Sequence, residues 1–283
     1  MTKQLLKYAK LAPQVVQARG LFRSVKPGTR EQRLEVVYDT DDLQFRFVGP
    51  YLLGVDDMRV LQGIVAIACV QNQRATLSLA EAGDDQLKKI KLLLSHTLDV
   101  RTTYDGLARQ IGYNAAGSGA DTTIINALER LFAVSVFIQP AGRKTPRTFE
   151  AGHIFERLSS EGSNEHVAVK LCPLLAFAVL GGPGTYMRDD LVETRKLKTD
   201  IARLLHMHLA WLAPGNSANV GIDTLVSYVY GSDPVAAGTQ RTRRNRIKAG
   251  IDELRNALGW TASLNRSGYR ITRSKPPRKK FAK

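Results

Sequence analysis

The chain reads as an α+β protein made of two tandem winged-helix domains related by a pseudo-repeat. Three observations support this. Thr239–Arg273 (TQRTRRNRIKAGIDELRNALGWTASLNRSGYRITR) has the order of helix, glycine stop and short β-hairpin. A similar order of short helix, Gly-containing turn, longer helix and β-hairpin occurs earlier, from Thr103 to Leu158, at low sequence similarity. The charge is also uneven: the chain carries a formal +15, and most of it falls after Leu191. A localised cationic end of this kind expects a polyanionic partner.

The leader, residues 1–33, is basic and contains one short apolar stretch, which predicts one short helix and little core. The first domain is expected over 34–158. It opens on LEVVYDTDDLQFRFVG, where Asp39 to Asp42 mark a turn between two alternating runs, as in a β-hairpin. Asp56-Asp57 then precedes the apolar run Val60, Leu61, Ile64, Val65, which predicts a capped helix. Lys89 to Val100 reads as a strand. Thr103–Gly112 reads as a capped helix closed by glycine, and Thr122–Ala133 as a second helix. A hairpin is expected next, from Val134–Gln139 and Thr148–Leu158, around the basic turn Arg143, Lys144, Arg147.

The second domain is expected over 159–273. The polar stretch Ser159–Glu165 suits either a linker or a hairpin turn, because Val167–Leu171 looks like a strand. Leu174–Leu180 is a short apolar helix, broken by Gly181-Gly182-Pro183-Gly184. Asp200–Leu212 is a further helix. Ile222–Gly231 is a short helix ending at glycine, and Thr239–Leu258 is the long one. In that helix Ile247, Ile251, Leu254 and Leu258 recur at helical spacing, and Gly259 ends it. Trp260, Ala262 and Leu264 alternate as in a half-buried strand, Asn265–Gly268 turns, and Tyr269 and Ile271 return. Residues 274–283 form a basic tail with no apolar period, expected to be disordered without a partner.

The chemistry follows from the long helix. Its apolar stripe points inward, so Arg241, Thr242, Asn245, Arg246 and Lys248 are placed to meet a DNA major groove. Arg243 and Arg244 flank the stripe and suit phosphates. A plain solvated face usually mixes signs, whereas the cations of this helix meet no acid before Asp252. In the hairpin Asn265, Arg266, Ser267 and Arg270, with Arg273 beyond it, suit phosphate or minor-groove contacts. In the first domain Thr122, Thr123 and Asn126 offer weak base reading, and Arg143, Lys144 and Arg147 offer backbone contacts. That domain equally suits a structural or protein-binding role.

Enzyme readings have less behind them. The acidic pairs Asp56-Asp57, Asp84-Asp85 and Asp189-Asp190 could suggest a metal-dependent nuclease, but each precedes a helical run, where capping accounts for it. His206 and His208 are two apart on a helix, so they point to different faces. No nucleophile has a convincing base, and no catalytic site, metal or cofactor is expected. Cys69 and Cys172 read as buried free thiols. No apolar run is long enough for a membrane span, and no secretory core is present, so a cytoplasmic protein is expected.

Five segments occur in one order along the chain: GLFR (20–23), LGVDDMRVLQGIVAIA (53–68), ARLLHMHLAWLAPG (202–215), IDTLVSYVY (222–230) and TRRNRIKAGIDELRNALGWT (242–261). Together they resemble the replication initiator C proteins of broad-host-range IncQ-type plasmids, over about Gly20 to Arg273. The resemblance implies an initiator that binds directly repeated sites (iterons) in double-stranded origin DNA. It also implies local melting of an A·T-rich segment and loading of a plasmid-encoded helicase, with self-association on the repeats open. Two readings compete with it. One is a winged-helix repressor binding a palindrome as a symmetric dimer, and the other is the nuclease considered above.

Overall fold

Alternating apolar runs and glycine-stopped helices fold as read over most of the chain in this computed structural model. It is described over residues 5–26, 29–72, 97–113, 118–142, 150–161, 166–181, 185–266 and 268–275. The leader departs from expectation. It forms β1 (Tyr8–Leu11) and α1 (Pro13–Gln17), and Ala9, Leu11, Val15, Val16, Leu21 and Phe22 are all buried. Strand β1 pairs antiparallel with β9 (Met187–Asp190), Tyr8 opposite Asp190. A leader with little core is therefore corrected. Its apolar residues are few, but they are covered by a strand from the far half of the chain, which no local pattern reveals.

Strands β2 (Leu34–Asp39) and β3 (Leu43–Gly49) form the expected hairpin, with Thr40 Oγ1 accepting from the Leu43 N–H at 2.9 Å. Helix α2 (Val55–Gln71) follows and is buried along most of its length. Asp57 Oδ2 accepts the Gly54 N–H at 2.6 Å, which is the capping role expected of it. Its fully buried carboxylate also pairs with Arg30 and Arg130, each at 2.8 Å. Burial pushes the Asp57 pKa up and outweighs the two guanidinium groups, which pull it down.

Strand β4 (Leu98–Thr103) starts later than expected, and Lys89–His96 lie outside the described residues. Helix α3 (Tyr104–Ile111) is capped by Thr103 and closed by left-handed Gly112. Helix α4 (Ser118–Phe132) starts before the expected Thr122. The hairpin expected after it is really two. Strands β5 (Ser135–Pro140) and β6 (Glu150–His153) join the first hairpin in a sheet ordered β2-β3-β5-β6. At buried Ile154 the chain leaves that sheet. Strand β7 (Phe155–Glu161) then pairs with β8 (His166–Leu171), giving a second sheet ordered β4-β8-β7. One return strand over Thr148–Leu158 is thus corrected to two. Ser159–Glu161 completes β7, and residues 162–165 of the polar stretch lie outside the described residues. The boundary expected at 158/159 falls inside β7.

Helix α5 (Pro173–Leu180) is buried throughout. After β9 come α6 (Leu191–Lys196), α7 (Asp200–His208), β10 (Ser217–Gly221), α8 (Ile222–Tyr230), α9 (Ala237–Leu258), β11 (Thr261–Leu264) and β12 (Gly268–Thr272). The last sheet is ordered β10-β12-β11. That order is the same as in β4-β8-β7: first, third, second. In both, a helix precedes the first strand and two helices separate it from the second. Among the described residues the series α2–β4–α3–α4–β7–β8 therefore matches α7–β10–α8–α9–β11–β12, with β5–β6 added in the former. The candidate DNA contacts Arg143, Lys144 and Arg147 lie outside the described residues. The hairpin equivalent to β11–β12 is β7–β8, whose strands break off at Glu161 and resume at His166.

Candidate nucleic-acid interface

Helix α9 is held by its apolar stripe. Ile247, Ile251 and Leu254 are at most 2% exposed, and Gly250 sits directly over Ile201 and Leu205 of α7. No acid lies in the first turn. Gly259 adopts φ 67°, where an L side chain would be strained, and its N–H closes the helix on Arg255 O at 2.9 Å. The other side of α9 faces out: Arg241, Thr242, Arg244, Asn245, Arg246 and Lys248 are exposed and Arg243 is half-buried. Among the described residues Arg241 and Lys248 enter no ion pair, so no acid there compensates their charge.

The hairpin stands beside the helix. Between them runs a groove of about 810 Å³, lined on the helix side by Arg241, Arg244, Asn245 and Lys248 and on the hairpin side by Leu264, Asn265, Arg266 and Tyr269. Leu264 is 70% exposed there, against the half-buried strand expected. The alternation holds for Trp260, which is buried on the core, but the hairpin tip projects past the core and leaves Leu264 without cover. Asn265 shapes the turn, with its Oδ1 accepting the Gly268 N–H at 2.8 Å. Arg266 and Arg270 are exposed on the hairpin, and Ser267 lies outside the described residues.

Two expected contacts change meaning. Arg273 is 4% exposed, donates to Glu193 Oε2 at 2.9 Å and lies 5.5 Å from the Trp260 ring centroid. It ties the end of β12 to α6 and is corrected from a DNA contact to an internal ion pair. Its place just after β12 gave the sequence no sign of that partner. Arg244 is exposed but already engaged. Its Nε and Nη2 donate to Asp223 Oδ1 and Oδ2 at 3.0 and 2.9 Å, and Gln240 donates to the same carboxylate at 3.0 Å. Asp223, at the start of α8, was missed because it reads as an ordinary first-turn acid. An exposed pair of this kind adds at most about 1 kcal/mol to stability. Its larger effect is to cancel one cation of the interface. Asp223→Asn is expected to leave the fold intact and to steepen the salt dependence of DNA binding by about 0.9 in log–log slope, one phosphate contact. Anisotropy titrations across a salt series measure this, and an unchanged slope would exclude Arg244 as a phosphate ligand.

The first series offers less. Thr122 and Asn126 are exposed on α4 and Thr123 is half-buried, but the exposed acids Asp121 and Glu129 flank them, and Arg130 is drawn inward to Asp57.

The acidic and histidine residues weighed as metal ligands have other partners. Asp190 caps α6, accepting from Val192 and Glu193 N–H at 2.9 and 3.2 Å. Asp189 does not cap. It is fully buried, accepts from Gln62 Nε2 at 2.5 Å and lies 3.4 Å from His206 Nδ1. His206 bonds Glu193 through Nε2 at 2.8 Å. His208 is stacked on Tyr228 with centroids 4.7 Å apart, and burial pushes its pKa down to about 3. Asp84-Asp85 lie outside the described residues. Among the described residues no group of three or more His, Cys, Asp or Glu side chains is arranged to hold a metal ion. Cys172 is buried, its thiol pushed up to about 12 by burial, and Cys69 is half-buried; both are free. No helix among the described residues is long and apolar enough to cross a membrane.

Comparison with known proteins adds three findings. The family model described as replication protein C (RepC) matches residues 3–275. Among solved structures, domains 2-3 of RctB superpose with TM-score 0.54 at 11% identity, covering 91% of this chain and 94% of that one. A selenomethionine form of domain 2 and domain 3 of RctB gives TM-score 0.50 at 10% identity, with 88% and 93% covered. At such identities the likeness speaks for the mixed α/β fold alone. No curated protein sequence matches.

Proposed function

Because the chain belongs to the replication protein C (RepC) family, we propose that it is a plasmid replication initiator whose two helix–hairpin series are tandem winged-helix units. The second unit reads iterons in double-stranded origin DNA. The single observation that carries this is the groove between α9 and the β11–β12 hairpin, where Arg241, Asn245 and Lys248 face Arg266 across open space. A helix in the major groove would present the first three to base edges, and the hairpin would reach a phosphate strand.

The first unit lacks a cluster of exposed cations on α4 and so suits protein contacts: a neighbouring copy on the next repeat, or the plasmid-encoded helicase. Several copies on adjacent repeats would bend the duplex, and A·T steps beside them would open at least cost. No strand scission is needed for this, and the protein is proposed to act without a catalytic site or cofactor, in the cytoplasm.

Hydroxyl-radical footprinting on the DNA flanking its own gene tests the reading. Protection is expected to repeat in one orientation. Protection of an inverted pair would instead favour a repressor on a palindromic operator. Supercoiled plasmid incubated with Mg²⁺ or Mn²⁺ should stay unnicked, and nicking would support a nuclease.

A further inference from the structure

The leader segment GLFR runs past the opposite flank of α9 from the hairpin. Phe22 is fully buried, and Arg23 N–H donates to Leu53 O at 3.0 Å. Ser24 N–H then donates to Val229 O at 2.7 Å, at the end of α8. Gly20 and Gly231, at φ 83° and 77°, meet so closely that a Cβ on Gly20 would lie 2.9 Å from Gly231 Cα. Arg23 locks the contact, donating to Gly20 O at 2.9 Å and to Asp233 Oδ2 at 2.8 Å. Arg23 and Ser24 are thereby fixed at the end of α8, and residues 23–26 face the first turns of α9 across a cleft.

A cleft of about 470 Å³ lies between them, lined by Lys26, Arg243, Arg246 and Tyr230 among others. Asp233 is the one acid in that lining, and it is paired with Arg23. Lys26 and Arg246 are exposed. Arg243 lies 4.8 Å from the Tyr230 ring centroid. Tyr230 is nine-tenths buried, and among the described residues its hydroxyl has no hydrogen-bond partner of full geometry, the Arg246 guanidinium lying beside it. A buried hydroxyl without a partner is costly unless something outside supplies one. Here it sits in a cationic cleft, so an anionic oxygen is the fitting acceptor.

We propose that this cleft holds backbone phosphates of the DNA strand across the major groove from the hairpin. The leader then acts as a second wall of the interface. This rests on α9 being the groove helix. A helix lying in the major groove has a phosphate strand on each side. The hairpin flanks one side, and Lys26, Arg246 and the Tyr230 hydroxyl flank the other.

The test uses the full-length protein and a duplex carrying one repeat. Lys26→Ala with Arg246→Ala should lower the log–log salt slope by about 2, since each phosphate contact contributes roughly 0.9. Binding to repeat and random duplex should weaken in equal proportion. Tyr230→Phe, which keeps the ring, should weaken both modestly. Ethylation interference should vanish at phosphates on the side of the groove opposite to those lost in Arg266→Ala. An unchanged slope in the double variant, while Arg241→Ala still impairs repeat binding, would overturn the second wall but keep the groove helix. Silence in Arg241→Ala as well would overturn the underlying reading. Saturable binding of ATP or pyrophosphate to the protein alone, abolished by Lys26→Ala and Arg246→Ala with DNA affinity unchanged, would assign the cleft to a free ligand and also overturn the proposal.

Discussion

Replacing Arg241 and Asn245 together by alanine is expected to weaken binding to the cognate repeat by about 2–6 kcal/mol, from two base contacts at about 1–3 kcal/mol each. Both side chains are exposed and line the open groove beside the hairpin. Neither helps to hold α9 down, which Ile247, Ile251 and Leu254 do. Stability should therefore change by no more than about 0.5 kcal/mol, as for other surface substitutions. On random duplex the loss should be smaller, close to that of removing one cation. Sequence preference should relax at two neighbouring base pairs and remain elsewhere. The two positions are one helical turn apart, so their effects can couple, and the single variants should be measured beside the double. Equal losses on repeat and random DNA would remove the base-reading role and leave α9 as a backbone clamp.

What the sequence revealed and what it hid divide along contact distance. Helix α9, its buried stripe and its glycine stop were legible because all three are set within a few turns of chain. The same holds for the Asp39–Asp42 hairpin and for α3 with its Thr103 cap and Gly112 close. The two hairpins after α4 were not separable. Both are alternating runs, and only pairing decides that Glu150–His153 belongs to β5 while Phe155–Glu161 belongs to β8. That pairing also decides which hairpin stands where the second series has its own. The leader was misread for a related reason: its strand partner β9 lies far along the chain.

At the candidate site, the cations themselves were readable and their partners were not. Arg241, Asn245 and Lys248 face outward as the stripe required. Arg244, on the same helix, meets Asp223, and Arg273, just after β12, is buried on Glu193. Arg23 and Tyr230 stand in segments that carry the family resemblance, but neither they nor Lys26 gave any sign of meeting α9, since the leader reaches it through the docking of Gly20 on Gly231. The repeat in sheet order, β4-β8-β7 and β10-β12-β11, likewise appears only when strands are paired.

His206→Ala is expected to destabilise the fold by about 3–5 kcal/mol, the range for removing one partner of a buried ion pair. His206 is fully buried between two carboxylates, Asp189 on β9 and Glu193 on α6. Burial alone would lower its pKa, but hydrogen bonding and charge from both acids win and raise it to about 9. Glu193 is pushed up by burial, yet its bonds to His206 and Arg273 hold it below the usual carboxylate range. The imidazolium thus sits at the meeting point of the two halves. Asp189 is also bonded by Gln62 of α2, and Glu193 by Arg273 beyond β12. Without His206, Asp189 would keep only the Gln62 amide while remaining out of water. The pH dependence distinguishes this charge role from mere packing. The histidine is raised in the folded state, so its contribution is fully present below about pH 6.5, the ordinary value. It is lost as pH rises through about 9. A shift of that size corresponds to about 3 kcal/mol. Urea midpoints of the unaltered protein should therefore fall between about pH 6.5 and pH 9, and those of His206→Ala should fall much less over the same interval. Parallel curves for the two proteins would show that the ring stabilises by shape alone, and that the junction between β9, α6 and α7 does not depend on a buried charge.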